Sequence, residues 1–379
     1  MLILEYKLRL SSAQHRAIDE AIRTTQFIRN KALRLWMDGG QVSAHDLQAL
    51  CARLAHEYPF AAALNSQARQ AAASRAWAAI ERFYTNCRTK RPGKKGYPRF
   101  QRDCRSAEYK QTGWNLDAER KPLTLTDGVG LGRMKRMGTR DLVPFQLEQI
   151  KRIRLVRRAD GYYAQFVLQV ERRVEHVPTG YALGVDVGIA AYLTDSAGNT
   201  VANPRLMRQA EARLRHYQRV LSRRSLRHKQ RKKPKANHVA RQRARHNKYP
   251  AAAPKQPVAA VPPQAPPAPP APRPCQSANW GKAKQRVGRA YLHLQRQRED
   301  FARKTASALI SSCDLIALED LQVRNLVRNR RLAKAISDVG WSRFRCWLEY
   351  YGQLHRIPVI AIPPQYTSQD CSVCGKRVR

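Results

Sequence analysis

Residues 181–203 read YALGVDVGIAAYLTDSAGNTVAN, and their pattern decides the fold of the C-terminal half. YALGVDVG is a short apolar run and AAYLTDS a second. The Gly198-Asn199 turn then leads into a third, NTVAN, so the stretch predicts a three-stranded meander. A basic helix follows from Pro204. Leu206, Ala210, Leu214, Tyr217 and Leu221 hold one stripe of it, and Arg208, Arg213, Arg215, Arg219, Arg223 and Arg224 cover much of the rest. Beyond RHKQRKKPK the chain enters AAAPKQPVAAVPPQAPPAPPAPRP, a polyproline-type stretch whose only charges are Lys255 and Arg273 and which cannot pack a core. Helical spacing resumes near Lys284 with Val287, Tyr291, Leu294, Phe301, Thr305 and Leu309, and leads to a strand, DLIALED. A last helix, about 333–353, runs through Trp341, Phe344, Trp347, Leu348 and Tyr351 into the strand IPVIAI. The order βββ, α, β, α, β predicts a mixed α/β core with the proline stretch inserted in its helical connection.

The N-terminal half has a different texture. Leu2, Leu4, Tyr6, Leu8 and Leu10 alternate with polar residues, the period of a half-buried strand. Ser11 with Gln14 is a capping-box signal, and apolar residues from Ile18 to Leu35 recur at three and four until Gly39 and Gly40. Two further helices are predicted at about 43–56 and 66–87, the last burying Trp77, Ile80, Phe83 or Tyr84, and Cys87 along one stripe. Then comes RTKRPGKKGYPRFQR, where cations interleave with aromatics as stacking on unpaired bases requires. Strand-like runs follow at 121–126, 148–158 and 162–173, the last two joined through Ala159-Asp160-Gly161 as a hairpin. The first strand and residues 97–178 together predict a β-barrel-like domain interrupted by the helices.

The 379 residues include 71 Lys and Arg against 28 Asp and Glu, a formal charge of +43 that excludes an ordinary metabolic enzyme and points to a polyanionic partner. No apolar run is long enough to span a bilayer. Eight cysteines with a single C-x-x-C pair, Cys371 and Cys374, do not form a secreted disulfide framework, and MLILEYKLRL carries charges where a signal peptide needs an apolar core. A reducing, cytoplasmic, nucleoid-associated setting is expected, without a membrane. The nucleic-acid-binding candidates are Lys94, Lys95, Tyr97, Arg99 and Phe100 in the basic loop, and Arg223, Arg224, Arg227, Arg231, Lys232 and Lys233 on and after the basic helix.

Two acids stand out as candidate chemistry. Asp186 lies between Gly184 and Gly188 in the first strand of the C-terminal core, and Glu319 ends the strand IALE. Apolar flanks on both place the carboxylates at strand ends facing a cleft. Phosphodiester hydrolysis needs charge neutralised at the attacking and leaving oxygens, which two Mg²⁺ ions about 3.5–4 Å apart, held by acids from separate strands, accomplish. Cys371 and Cys374 present two thiolates to one Zn²⁺, half of a four-ligand site, whereas Cys346 and His355 read as helix residues.

With those motifs in place, the chain resembles the TnpB-type (OrfB) proteins of bacterial insertion sequences, RNA-guided nucleases related to the type V CRISPR effectors. GVDVGIAAYLTDSAGN resembles the first RuvC motif of that family and IALEDLQVRNL the second. AKAISDVGWSRFRCWLEYYGQ resembles the following helix, PPQYTSQDCSVCG the entry to the zinc ribbon, and GYPRF the basic loop after the helical module. The resemblance implies an α+β multidomain fold. It comprises a wedge-like β-barrel (1–10 and 88–178), a helical recognition module (11–87), an RNase H-like RuvC core (181–362) and the first half of a zinc ribbon (363–379); the proline-rich insertion in that core (250–280), expected from its composition to be disordered, is atypical of the family. It implies a guide RNA from the transposon end, a short transposon-adjacent DNA motif, and cleavage of double-stranded DNA paired to the guide. Asp186 would be the metal-bridging acid and Glu319 the second ligand. The sequence reaches Arg379 before the second cysteine pair and before the Asp-Arg-Asp-x-Asn-type motif that supplies the family's third carboxylate; Asp338 and Asp370 read as a helix acid and a loop acid. The expectation is therefore an endonuclease read as an incomplete copy, with weak catalysis from two of three acids. The alternatives are a cleavage-deficient guide-dependent DNA binder or decayed relic, and a non-enzymatic basic RNA-binding protein.

Overall fold

The computed structural model describes residues 1–39, 41–117, 122–232, 277–364 and 374. The proline-rich stretch and Cys371 lie outside the described residues. The chain divides into two compact units, Met1–Arg173 and Val174–Arg379.

In the first unit, β1 (Leu2–Arg9) buries Leu4, Tyr6 and Leu8 and leaves the alternate residues outward. Helix α1 (Ser12–Gly39) starts on a reciprocal cap: the Gln14 amide donates to Ser11 Oγ at 3.2 Å and the Ser11 amide to Gln14 Oε1 at 3.0 Å. Helix α2 (Ala44–Glu57) opens on a second capping box, Ser43 with Asp46, which the sequence reading did not single out. A short α3 (Pro59–Ala63) and the long α4 (Ser66–Arg88) complete the helical block. Helix α4 is buried through Ala68, Ala71, Ala72, Ala73, Ala76 and Ile80, because small side chains let it approach its neighbours closely. Tyr84 and Cys87, expected on the buried stripe, are exposed.

Six more strands follow: β2 (Ser106–Lys110), β3 (Trp114–Leu116), β4 (Pro122–Leu125), β5 (Arg133–Met137), β6 (Ile150–Arg158) and β7 (Gly161–Leu168). With β1, in the part of the chain expected to be barrel-like, they form a seven-stranded antiparallel sheet in the order β2-β6-β7-β1-β5-β4-β3. Its β6–β7 hairpin closes where Arg158 pairs with Gly161, whose φ of +140° explains the glycine. Strands β2, β3 and β5 were not legible: SAEYK, WNL and RMKRM are too short or too charged to show a period.

In the second unit, β8 (Ala182–Asp186), β9 (Ala191–Asp195) and β10 (Thr200–Ala202) form the expected antiparallel meander. Helices α5 (Leu206–Lys232) and α6 (Ala278–Ser311) precede β11 (Leu315–Glu319). Then come α7 (Val323–Leu326), α8 (Ala333–Val339), α9 (Trp341–His355) and β12 (Val359–Ile362). The sheet order is β10-β9-β8-β11-β12, with β8, β11 and β12 parallel. Val185, Ile316 and Leu318 share one core with Ala302, Ala306 and Ile310 of α6 and with Phe344 and Leu348 of α9. The single helix expected over 333–353 is two, broken at Gly340 in the left-handed region (φ +75°).

Candidate active site and nucleic-acid surfaces

Parallel strands β8 and β11 are in register from Ala182 opposite Leu315 to Val185 opposite Leu318, so the next step on each sets Asp186 beside Glu319. Val185 and Leu318 point into the core; the two acids therefore leave the opposite face together, at the carboxyl ends of strands about 4.8 Å apart. Asp186 is exposed and Glu319 half-buried. A tight connection ends β8 just beyond Asp186, where the Gly188 amide donates to the Tyr192 carbonyl at 3.3 Å and a Cβ on Gly188 would lie 3.0 Å from the Ala191 carbonyl oxygen.

The neighbouring acids are committed elsewhere. Asp320 pairs with Arg345, and Asp195 holds its own turn by accepting from the Ala197 and Asn199 amides and the Asn199 side chain. Those bonds, led by the Asn199 side chain, keep the Asp195 carboxyl below the usual carboxylate range. Asp338 accepts from the Met207 amide at 2.8 Å and the Arg208 amide at 3.3 Å, capping α5, and pairs with Arg298 at 2.7 Å. Among the described residues no three His, Cys, Asp or Glu side chains gather as metal ligands. Cys374 is exposed, Cys346 is exposed on α9, and His355 is half-buried at the end of that helix.

The basic loop of the first unit is stapled to α1. Asn30 exchanges two hydrogen bonds of 2.9 Å with the Gln101 backbone, Arg29 donates to the Arg99 carbonyl at 3.3 Å, and Gln26 accepts from the Cys104 amide at 2.8 Å. The Tyr97 ring rests against Trp36 and Phe83 at centroid distances of 5.5 and 5.2 Å, yet the residue is 54% exposed. Lys94, Arg99 and Phe100 are exposed and Lys95 is half-buried. In the second unit Arg223 joins Arg215, Gln218, Arg219 and Ser222 around an open groove of about 440 Å³ on α5, and Arg224 donates to the Asn279 carbonyl. Arg227, Arg231 and Lys232 fall within α5, but their side chains lie outside the described residues, as does Lys233.

Sequence reasoning missed two charge clusters. Asp314, just before β11, accepts from the Thr179 and Gly180 amides and the Thr179 hydroxyl and sits 2.6 Å from His176 Nε2. Glu108 on β2 is buried among Arg75, Arg152 and Arg154. The alternating arginines of IKRIRLVRR were the signal for the second; nothing local marked the first.

The fold and its strand-end acids define an α/β protein with a paired-carboxylate edge in a strongly basic chain. Residues 165–248 and 273–330 match the OrfB_IS605 family, described as "Probable transposase", and residues 341–379 match the Cas12f1-like TNB domain. Over these segments the chain is similar to the TnpB-type family. A Streptomyces pristinaespiralis relative named "Putative RNA-guided DNA endonuclease" is 28% identical over 198 residues, 52% of this chain and 37% of that protein. An Escherichia coli (strain K12) relative, "Putative RNA-guided DNA endonuclease InsQ", is 33% identical over 114 residues, 26% of this chain and 28% of that protein. The chain thus spans well under half the length of these curated relatives. A chain in a cryo-EM structure of a Cas12f1–sgRNA–target DNA complex aligns with a TM-score of 0.49 at 10% identity, over 97% of this chain and 76% of that one.

Proposed function

We propose that the protein is an RNA-guided DNA endonuclease of a bacterial insertion sequence, with Asp186 and Glu319 as its catalytic acids. The observation that carries this reading is the register of β8 and β11, which sets two acids side by side on the open face of a sheet. Names of the two curated relatives support the activity, and the charge of +43 supports a nucleic-acid partner. In this reading the first unit carries the wedge-like sheet and helical recognition module, and the second the RuvC-like core. The basic loop and α5 grip guide RNA and target DNA by their backbones.

Mg²⁺ is commonly bound by one or two carboxylates with substrate phosphate and water completing its shell, so Asp186 and Glu319 fit one such ion. Bound there, it would act as a Lewis acid on the scissile phosphate. The two carboxylates supply the fixed negative charge, and the Gly188 connection holds Asp186 at the strand end. Cys371 and Cys374 would supply two of the four ligands of a structural Zn²⁺.

The second reading is a guide-dependent DNA binder that does not cut. The two separate in an assay with guide RNA, Mg²⁺ and matched duplex. Cleavage that falls at least about a hundredfold in Asp186→Asn and Glu319→Gln supports the nuclease. Guide-dependent binding without cleavage, unchanged by either substitution, supports the binder. Equal competition by bulk RNA would instead leave only a generic basic RNA-binding protein.

A further inference from the structure

Glu108 alternates with Ala107 and Tyr109, both core residues, so its carboxylate leaves the sheet on the other face. Directly across the ladder stands Arg154, with Arg152 two residues away on the same face of β6. Arg154 donates to Glu108 Oε2 from Nη2 at 2.8 Å and from Nε at 3.1 Å, and Arg152 donates to Oε1 at 3.1 Å. Arg75 reaches from α4 with its Nη2 3.4 Å from Oε2 and its Nη1 3.2 Å from the Ser106 carbonyl. The Glu108 side chain is 8% exposed, whereas those of Arg152 and Arg154 are 40% and 36% exposed.

The charges do not balance. One arginine neutralises a buried carboxylate, and three leave the cluster with two positive charges in excess, their mutual repulsion opposing the arrangement. The exposed Lys110 adds a further cation opposite Arg152. Among the described residues most guanidinium N–H donors of the three remain unspent, and the buried acid aims them without using them up. Fixed guanidinium forks with spare donors match the non-bridging oxygens of a phosphodiester, which brings one negative charge.

We infer that Arg152 and Arg154, positioned by the buried Glu108 and backed by Arg75, form a seat for a backbone phosphate of a bound nucleic acid. The inference rests on the reading of the protein as a nucleic-acid binder, and it assigns a contact to residues other than those of the basic loop and α5. RNA and DNA present the same group, so the test runs on single-stranded RNA and on duplex DNA separately.

The measurement is the slope of log K against log salt for the full chain, the variants Arg152→Gln and Arg154→Gln, and the control Arg34→Gln. Arg34 is an exposed arginine paired with Asp38 on α1. Each loss of a seat arginine is expected to shallow the slope by about 0.9 if the phosphate belongs to duplex DNA and about 0.7 if it belongs to single-stranded RNA, with the control unchanged. In parallel, the wild-type protein is treated with phenylglyoxal and mapped by mass spectrometry, which needs no variant to fold. Arg152 and Arg154 are expected to lose reactivity when the seated nucleic acid is bound. A wild-type protein that binds with steep salt dependence while both variants keep its slope, or whose two arginines stay equally reactive when saturated, overturns the seat alone. A wild-type protein without salt-dependent binding overturns the broader reading, and the seat falls with it.

Discussion

At the scale of single residues, Asp314 shows how a carboxylate outside any motif is fixed by its surroundings. The Thr179 amide lowers its pKa most, followed by His176, then the Gly180 amide and the Thr179 hydroxyl, and together they outweigh desolvation and hold the carboxyl well below the usual range. A carboxyl depressed in the folded state stays ionised where the unfolded chain takes up a proton. Its contribution to stability is therefore complete above the ordinary carboxylate pKa and fades as pH falls below about 4. Asp314→Asn is expected to melt below wild type at pH 7, with the gap narrowing steadily from pH 4 to pH 3; a gap that stays constant would rule out this linkage. Asp186 and Glu319 were legible because each closes an apolar run. Their adjacency was expected from the family resemblance alone, since it depends on pairing between strands that lie far apart in the chain.

At the scale of elements, the C-terminal helices show where periodicity misleads. Val339, Trp341, Phe344 and Leu348 keep helical spacing across residue 340, so the pattern reads as one helix. Only the backbone conformation of Gly340 reveals the break. The break serves two neighbours: it ends α8 so that Asp338 caps α5, and it redirects α9 toward β12. Asp338→Ala removes the acceptor of two helix-end amides and the partner of Arg298, a loss of about 2 kcal/mol, while Asp338→Asn, which keeps an acceptor, is expected to lose less. Chemical denaturation checks both, and equal losses would show that only the ion pair matters. At the far end of α9, a Cβ on Gly352 would stand 2.6 Å from Val359 Cγ2 and 2.8 Å from the Ile357 carbonyl oxygen. The carbonyl cannot swing aside as a side chain can, so Gly352→Ala should destabilise the unit by about 1–3 kcal/mol. An unchanged midpoint would mean that β12 moves freely away from the helix.

For the whole molecule, composition pointed to a polyanionic partner before any site was visible, but it could not place a candidate contact. The charge of +43 is a property of the chain; the seat around Glu108 exists because strands from distant segments lie side by side. The same holds for the first sheet. Alternation in MLILEYKLRL marked a strand with one buried face, yet nothing in it said that this strand would be central, pairing Leu2 with Leu168 on one side and Lys7 with Met137 on the other. Pairing across about 160 residues is specified by burial of whole faces rather than by a local signal. Deleting residues 1–10 therefore removes a middle strand and leaves β5 and β7 with open edges, while the second unit keeps its own sheet and core. Hydrogen exchange on the truncated protein should show amides of Gly161–Leu168 and Arg133–Met137 losing protection, with those of Leu315–Glu319 exchanging as in the full chain. Retained protection in β7 would mean that the first unit holds together without its central strand. Loss in β11 as well would mean that the two units fold as one.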